Sequence, residues 1–280
     1  MEKGYTVDPL APEKPQSEWR DLASFLLKLA IVVFIVRSFI FSPFSIPSES
    51  MLPRLLIGDY LFITKWNYGY SKHSLPFSIP LIPGRVFPGT PERGDVVVFK
   101  APPQNNTDWI KRVIGLPGDT VQMRDGQLIL NGKAIPKEPI ADFVLPISPN
   151  FTAEKCGDFI DKNDPTLCRI PRFRETLPNG KSYEVLDQGM QTCFIPTRVC
   201  PDNTDLYTVP AGSVFLMGDN RDDSADSRFP HSQQGIGYVP MENLQGKAVL
   251  SFWSTDGSAN WFLPWTWFSA ARWNRIGEGF

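Results

Sequence analysis

The long apolar run from Leu22 to Phe41, LASFLLKLAIVVFIVRSFIF, constrains this chain more than any other feature. As an α-helix its twenty residues extend about 30 Å, enough to cross the hydrocarbon core of a bilayer. Lys28 and Arg37 interrupt it, and a charge inside hydrocarbon costs a few kcal/mol. Both lie toward the ends of the run, where long side chains snorkel to water. The run predicts one transmembrane anchor over residues 22–41. Residues 1–21, polar and with charges of both signs, predict a flexible tail. A cleaved signal peptide fits less well, because the tail is not positively charged and SPFSIP, not a small-x-small site, follows the run.

The remainder is long enough for a sizeable core, with 42% hydrophobic residues overall. Lys and Arg number 28 against 30 Asp and Glu, with no basic run, so a nucleic-acid partner is not expected. Short apolar stretches set off by turn residues predict strands at Gly58 to Trp66, Arg93 to Phe99, Trp109 to Leu116, Thr120 to Met123, Gln127 to Leu130, Ser213 to Met217 and Lys247 to Trp253. No amphipathic helix of any length stands out after the anchor. With 27 prolines and 21 glycines, the pattern predicts a mostly β, antiparallel sandwich or barrel. The catalytic β domain is expected over 42–132 and 211–280, with an inserted, loop-rich subdomain over 133–210. That insert holds Cys156, Cys168, Cys193 and Cys200, which lack zinc-type spacing and suit disulfides outside the cytosol. Local pairing, Cys156 with Cys168 and Cys193 with Cys200, is one of three connectivities. Disulfides there place everything after the anchor on the oxidising side and the N-terminus in the cytoplasm.

Phe252, Trp253, Trp261, Phe262, Trp265, Trp267, Phe268 and Trp273 crowd the C-terminal part. They are either core aromatics or an interfacial belt, since indole rings favour the headgroup zone.

Pro47, Ser48, Glu49, Ser50, Met51, Leu52 and Pro53 begin within six residues of the end of the anchor. Alone, they also suit a Ser/Pro-rich juxtamembrane linker. A serine nucleophile needs a base, and the two histidines, His73 and His231, stand in polar loops that read as surface positions. The alternative base is a neutral lysine, which requires burial to bring its pKa down from about 10.4. Lys111 is the best placed: strand alternation puts Trp109, Lys111 and Val113 on one face. A sheet edge with Lys111 in water is the competing reading. The Asp-rich stretch Gly218 to Arg228 lacks the glycine and glutamate of a calcium loop, so a polar turn network is expected and no metal or cofactor.

Taken together, the chain resembles the bacterial type I signal peptidases. Four blocks carry the resemblance in order after one anchor: Ile46 to Pro53 (IPSESMLP), Gly58 to Tyr60 (GDY), Arg93 to Phe99 (RGDVVVF) continuing at Ile110 to Asp119 (IKRVIGLPGD), and Gly218 to Arg228 (GDNRDDSADSR). The resemblance implies a membrane-anchored Ser/Lys endopeptidase that removes signal peptides from exported preproteins. It also implies a place in the inner membrane, with the catalytic domain on the periplasmic face. It further implies Ser50 as nucleophile, Lys111 as general base, Ser48 and the Ser50 N–H as oxyanion hole, and Ser224 as the group orienting Lys111. Asp219, Arg112, Asp226 and Arg228 fall at structural positions. Phe44, Ile46, Met51, Leu55, Trp109 and Ile110 fall at positions lining pockets for small residues one and three before the cut, so that Ala-x-Ala sites are selected by steric fit. Arg54 and Trp109 depart from the Thr and Tyr common there. A β-lactamase-like reading needs S-x-x-K, which no serine here satisfies. A bitopic adaptor with a β binding domain is the non-enzymatic alternative, and it leaves Ser48, Ser50, Lys111 and Ser224 unexplained.

Overall fold

The structure, a computed structural model, describes residues 18–191, 199–260 and 262–280. Glu18 and Asp21 open a helix, α1 (Glu18–Ile35), where carboxylates complement the N-terminal dipole. The helix continues through a π-turn (Val36–Ile40) to give 23 residues, whose most apolar 18-residue stretch has a mean hydropathy of 2.2 and is almost entirely uncovered by protein. It is the one helix among the described residues long and apolar enough to cross a membrane. Phe41, expected to close the span, instead opens a strand.

That strand, β1 (Phe41–Ser45), pairs antiparallel with β2 (Asp59–Thr64), Phe41 opposite Thr64. Its Pro43 cannot donate to a ladder, and β1 accordingly occupies the sheet edge. The sheet is completed by β3 (Val96–Lys100), β4 (Asp108–Gly115), β5 (Ser213–Met217), β6 (Val239–Pro240) and β7 (Leu244–Ser254). Its order is β1-β2-β7-β3-β4-β5-β6, antiparallel throughout, with bulges in β7 and between β4 and β5. The fold is mostly β, as expected. β4 lies inside the sheet between β3 and β5, so the sheet-edge reading of Lys111 does not hold.

The stretch 133–210 is more regular than its Pro- and Asn-rich composition suggests. Lys137–Pro146, Leu167–Thr176 and Ser182–Leu186 form a three-stranded antiparallel sheet. A second small sheet takes Thr120–Arg124 and Gln127–Leu130 from before position 133 and Lys133–Ala134 and Tyr207–Thr208 from after it. Cys156 and Cys168 form a disulfide, a bond found in one of the three connectivities left open by the sequence, and Cys193 lies outside the described residues. The bridge is buried among Leu145, Phe151, Ile170 and Leu186, together with Leu52 and Leu56. The insert therefore packs directly against the segment that carries Ser50.

The C-terminal aromatics are mostly not core. Phe262, Trp265, Phe268 and Trp273 are exposed, Phe262 at 92%. Trp261 lies outside the described residues. On the outer face of the sheet, Phe41, Phe62 and Phe252 form a further row of ring contacts running out from the end of the anchor.

Candidate active site

Ser50 is held by a turn whose backbone is pinned on both sides. Leu52 N donates to Glu49 O (2.9 Å) and Leu55 N to Met51 O (2.9 Å), while Ser50 O accepts from Asn220 N (3.1 Å). Beneath the turn, Asp59 is wholly buried. It accepts hydrogen bonds from Leu56 N, Ser254 Oγ and the Arg275 guanidinium. Met51 and Leu55, expected at the substrate pockets, point into the core with Leu61, Ile63 and Val96 and do not line the cleft. Turning inward is what lets them anchor the serine.

The cleft, a cavity of about 430 Å³, is walled by Phe44, Ile46, Val98, Trp109 and Ile110, with Ser48, Ser50 and Lys111 on its floor. Lys111 stands opposite Val97 on the central strand β4 and is only 4% exposed. Its Nζ lies 2.7 Å from Ser50 Oγ and donates to Ile110 O at 3.1 Å. The Trp109 ring centroid is 5.4 Å away. Burial brings the amine down to about 8, against the opposing pull of Asp226, Asp219 and Asp223. A substantial part of the amine is therefore uncharged just above neutral pH.

Ser48 is exposed, with its Oγ 3.4 Å from Ser50 Oγ. The Ser50 N–H has no hydrogen-bond partner among the described residues. Ser224 is buried close by: a Cβ added at Gly218 would fall 2.2 Å from Ser224 Oγ and 2.5 Å from Ser50 O, so only glycine fits there. The expected hydrogen bond from Ser224 to Lys111 is not made. Its Oγ is buried without a partner, and Ile110 O takes that place on the amine.

The 218–228 loop is fixed by buried ion pairs. Arg112 grips Asp219 with two bonds of 2.7 and 2.6 Å, and Arg228 grips Asp226, which also accepts from Gly218 N at 3.0 Å. Asp226 and Arg228 are both fully buried. Sequence reasoning missed a third pair, Arg221 with Glu175 (2.9 and 2.5 Å), backed by the Tyr183 hydroxyl at 2.6 Å. Glu175 and Tyr183 come from the insert, where a lone Glu in a charged strand gives no signal. The insert also reaches the cleft rim through Lys155 and Glu49, 2.8 Å apart.

His73 corrects an expectation: it is buried, not at the surface. The turn Lys72–Ser74 is capped by Ser71, the ring meets Ser78 Oγ at 2.9 Å, and burial lowers its pKa to about 4. His231 is exposed, as expected.

A small hydroxyl set against a buried amine in a walled cleft, behind a helix long enough to cross a bilayer, is an arrangement that suits a serine hydrolase. The profile described as signal peptidase, peptidase S26, matches residues 19–253, and the chain belongs to that family. As a member it is a signal-peptide-cleaving peptidase of the serine type. Signal peptidase I of Rickettsia felis is 36% identical over 273 residues, covering 93% of this chain and 91% of that one. Signal peptidase I of Rickettsia akari is 36% identical over 275 residues with the same coverage. A crystal structure of a signal peptidase I from Enterococcus faecalis V583, 24% identical, covers 56% of this chain and 96% of its own, with a TM-score of 0.28.

Proposed function

We propose that this protein cuts signal peptides from exported preproteins with a Ser50/Lys111 dyad. The observation that carries the reading is the 2.7 Å approach of Lys111 Nζ to Ser50 Oγ in a cleft dry enough to hold the amine near 8. The neutral amine takes the Ser50 proton as Oγ attacks the scissile carbonyl. The resulting ammonium then gives that proton to the leaving amine. The unpartnered Ser50 N–H and the Ser48 hydroxyl, 3.4 Å from Ser50 Oγ, receive the oxyanion. Water enters once the new N-terminus leaves, and the same lysine activates it.

Ser224 serves the charged form of the base. A buried hydroxyl without a partner calls for an explanation, and donation of a hydrogen bond to it by the ammonium formed at Lys111 would supply one. Specificity for small residues one and three before the cut is assigned to the walls Phe44, Ile46, Trp109 and Ile110, against which a bulkier side chain would overlap. Asp219, Arg112, Asp226 and Arg228 brace and do not react. No cofactor or metal takes part in these steps.

The N-terminus faces the cytoplasm and the β domain the outer, periplasmic side, a reading supported by the Cys156–Cys168 disulfide. The exposed Phe and Trp side chains of 252–273 then rest at headgroup level beside the anchor. The test is processing of a preprotein with Ala at positions one and three before the cut. Ser50→Ala and Lys111→Met proteins are expected to fold and to leave it uncut.

A further inference from the structure

A second cavity, of about 850 Å³, opens between the anchor and the β domain. It adjoins the catalytic cleft through β1 but contains neither Ser50 nor Lys111. One wall is the last part of the spanning helix, Ala30, Val33 and Phe34, and Phe77 at its mouth is 99% exposed. The lining is also ionic: Arg37 from the end of the same helix, and Lys65 and Lys100 with the single carboxylate of Asp108.

These cations are unequally matched. Lys100 pairs with Asp108 at 2.9 Å, and Gln245 also bonds that carboxylate. Lys65 is 3% exposed and spends one donor on Ser74 O at 3.2 Å, with no carboxylate in ion-pair range among the described residues. Arg37 has no ion pair among them either. A buried ammonium with two idle donors is costly unless an anion meets it. Burial accordingly pulls Lys65 down to about 8; Asp108 opposes this, while Arg37 and Lys100 add to it.

We infer that this cavity binds the phosphate of an anionic glycerophospholipid, held by Arg37 and Lys65, with its acyl chains laid along Ala30, Val33 and Phe34. Phosphate supplies several acceptor oxygens for the idle donors of both side chains. The apolar wall belongs to the spanning helix itself, so the site sits where headgroups lie. A free anion leaves that wall unused, and the apolar core of a signal peptide leaves the cations unmatched.

The test uses the full chain in detergent and native mass spectrometry with dioleoylphosphatidylglycerol, dioleoylphosphatidylcholine or inorganic phosphate added. The parent is expected to retain one phosphatidylglycerol and to hold phosphatidylcholine more weakly. Each of Arg37→Gln and Lys65→Gln is expected to weaken retention about tenfold, the scale of one charge-assisted bond. Arg37 is exposed, so its variant carries the test even if the Lys65 variant fails to fold. Equal retention by parent and Arg37→Gln overturns the proposal. Displacement of the lipid by millimolar inorganic phosphate overturns it in favour of a small-anion site. A raised KM for preprotein with lipid retention unchanged overturns it in favour of the peptide.

Discussion

Lys111 and Lys65 are both buried lysines of this domain, and burial brings each from 10.5 to about 8. Only one of them faces a hydroxyl. Lys111 Nζ meets Ser50 Oγ at 2.7 Å within a cleft walled by Trp109 and Ile110, whereas Lys65 Nζ meets a backbone carbonyl beside two other cations. A depressed pKa therefore makes a base available without assigning it work; the assignment comes from what the fold sets beside it. At Lys111 that neighbour is delivered by a turn locked through Asp59, Asn220 and the insert.

The contrast breaks most sharply in catalysis. Lys111→Met is expected to lower kcat/KM for preprotein by roughly a thousandfold or more, as removal of a general base paired with a serine does. Lys65→Met is expected to stay within about threefold in detergent, the effect of a change outside the reacting groups. Equal losses in the two variants erase the distinction.

The Lys111 side depends on ion pairs from the insert that the Lys65 side lacks. Glu175→Gln strips Arg221 of its charge partner inside the protein. It is expected to destabilise the fold by about 3–5 kcal/mol, read as a lowered unfolding midpoint. Asp108→Asn, at a half-exposed pair, is expected to cost about 1 kcal/mol or less.

The two lysines behave alike in stability. Each has a folded pKa below its unfolded value, so the unfolded chain binds more protons between about pH 8 and 10.5, and stability rises with pH through that window. Below about 8 both carry a buried charge in the folded state. Lys111→Met and Lys65→Met are each expected to raise stability at pH 7, by up to about 3 kcal/mol, and to flatten the alkaline rise. A destabilised Lys65→Met instead indicates that its charge is already compensated.

The pH dependence of activity separates the two lysines again. kcat/KM is expected to fall about tenfold per pH unit below about 8 as Lys111 takes up its proton, and Lys65→Met is expected to leave that limb in place.

Much of this was legible in the residues. Strand alternation flagged Lys111, and the spacing of Ser48 and Ser50 after an anchor flagged the turn. The same alternation in β2, with Leu61 and Ile63 buried, carries Lys65 inward, a signal that a terminal lysine masks. β1 was hidden because its first residue, Phe41, closes the apolar run and the Ser42-Pro43 that follows looks like a linker. The insert's sheet was hidden because Lys137–Pro146 keeps nine of its ten residues partly or fully exposed and carries Pro139 and Pro146, leaving little periodicity to read. His73 was misplaced because its Ser-Lys-His-Ser surroundings look solvated, while a capped turn folds the ring under the chain.

The most direct test of the central claim is an NMR titration of the Lys111 side chain in the full-length protein, with selectively labelled lysine and Lys111→Met to assign the signal. The account predicts a midpoint near 8 that shifts when Ser50 is changed to alanine. A midpoint near 10.5, indifferent to Ser50, contradicts it.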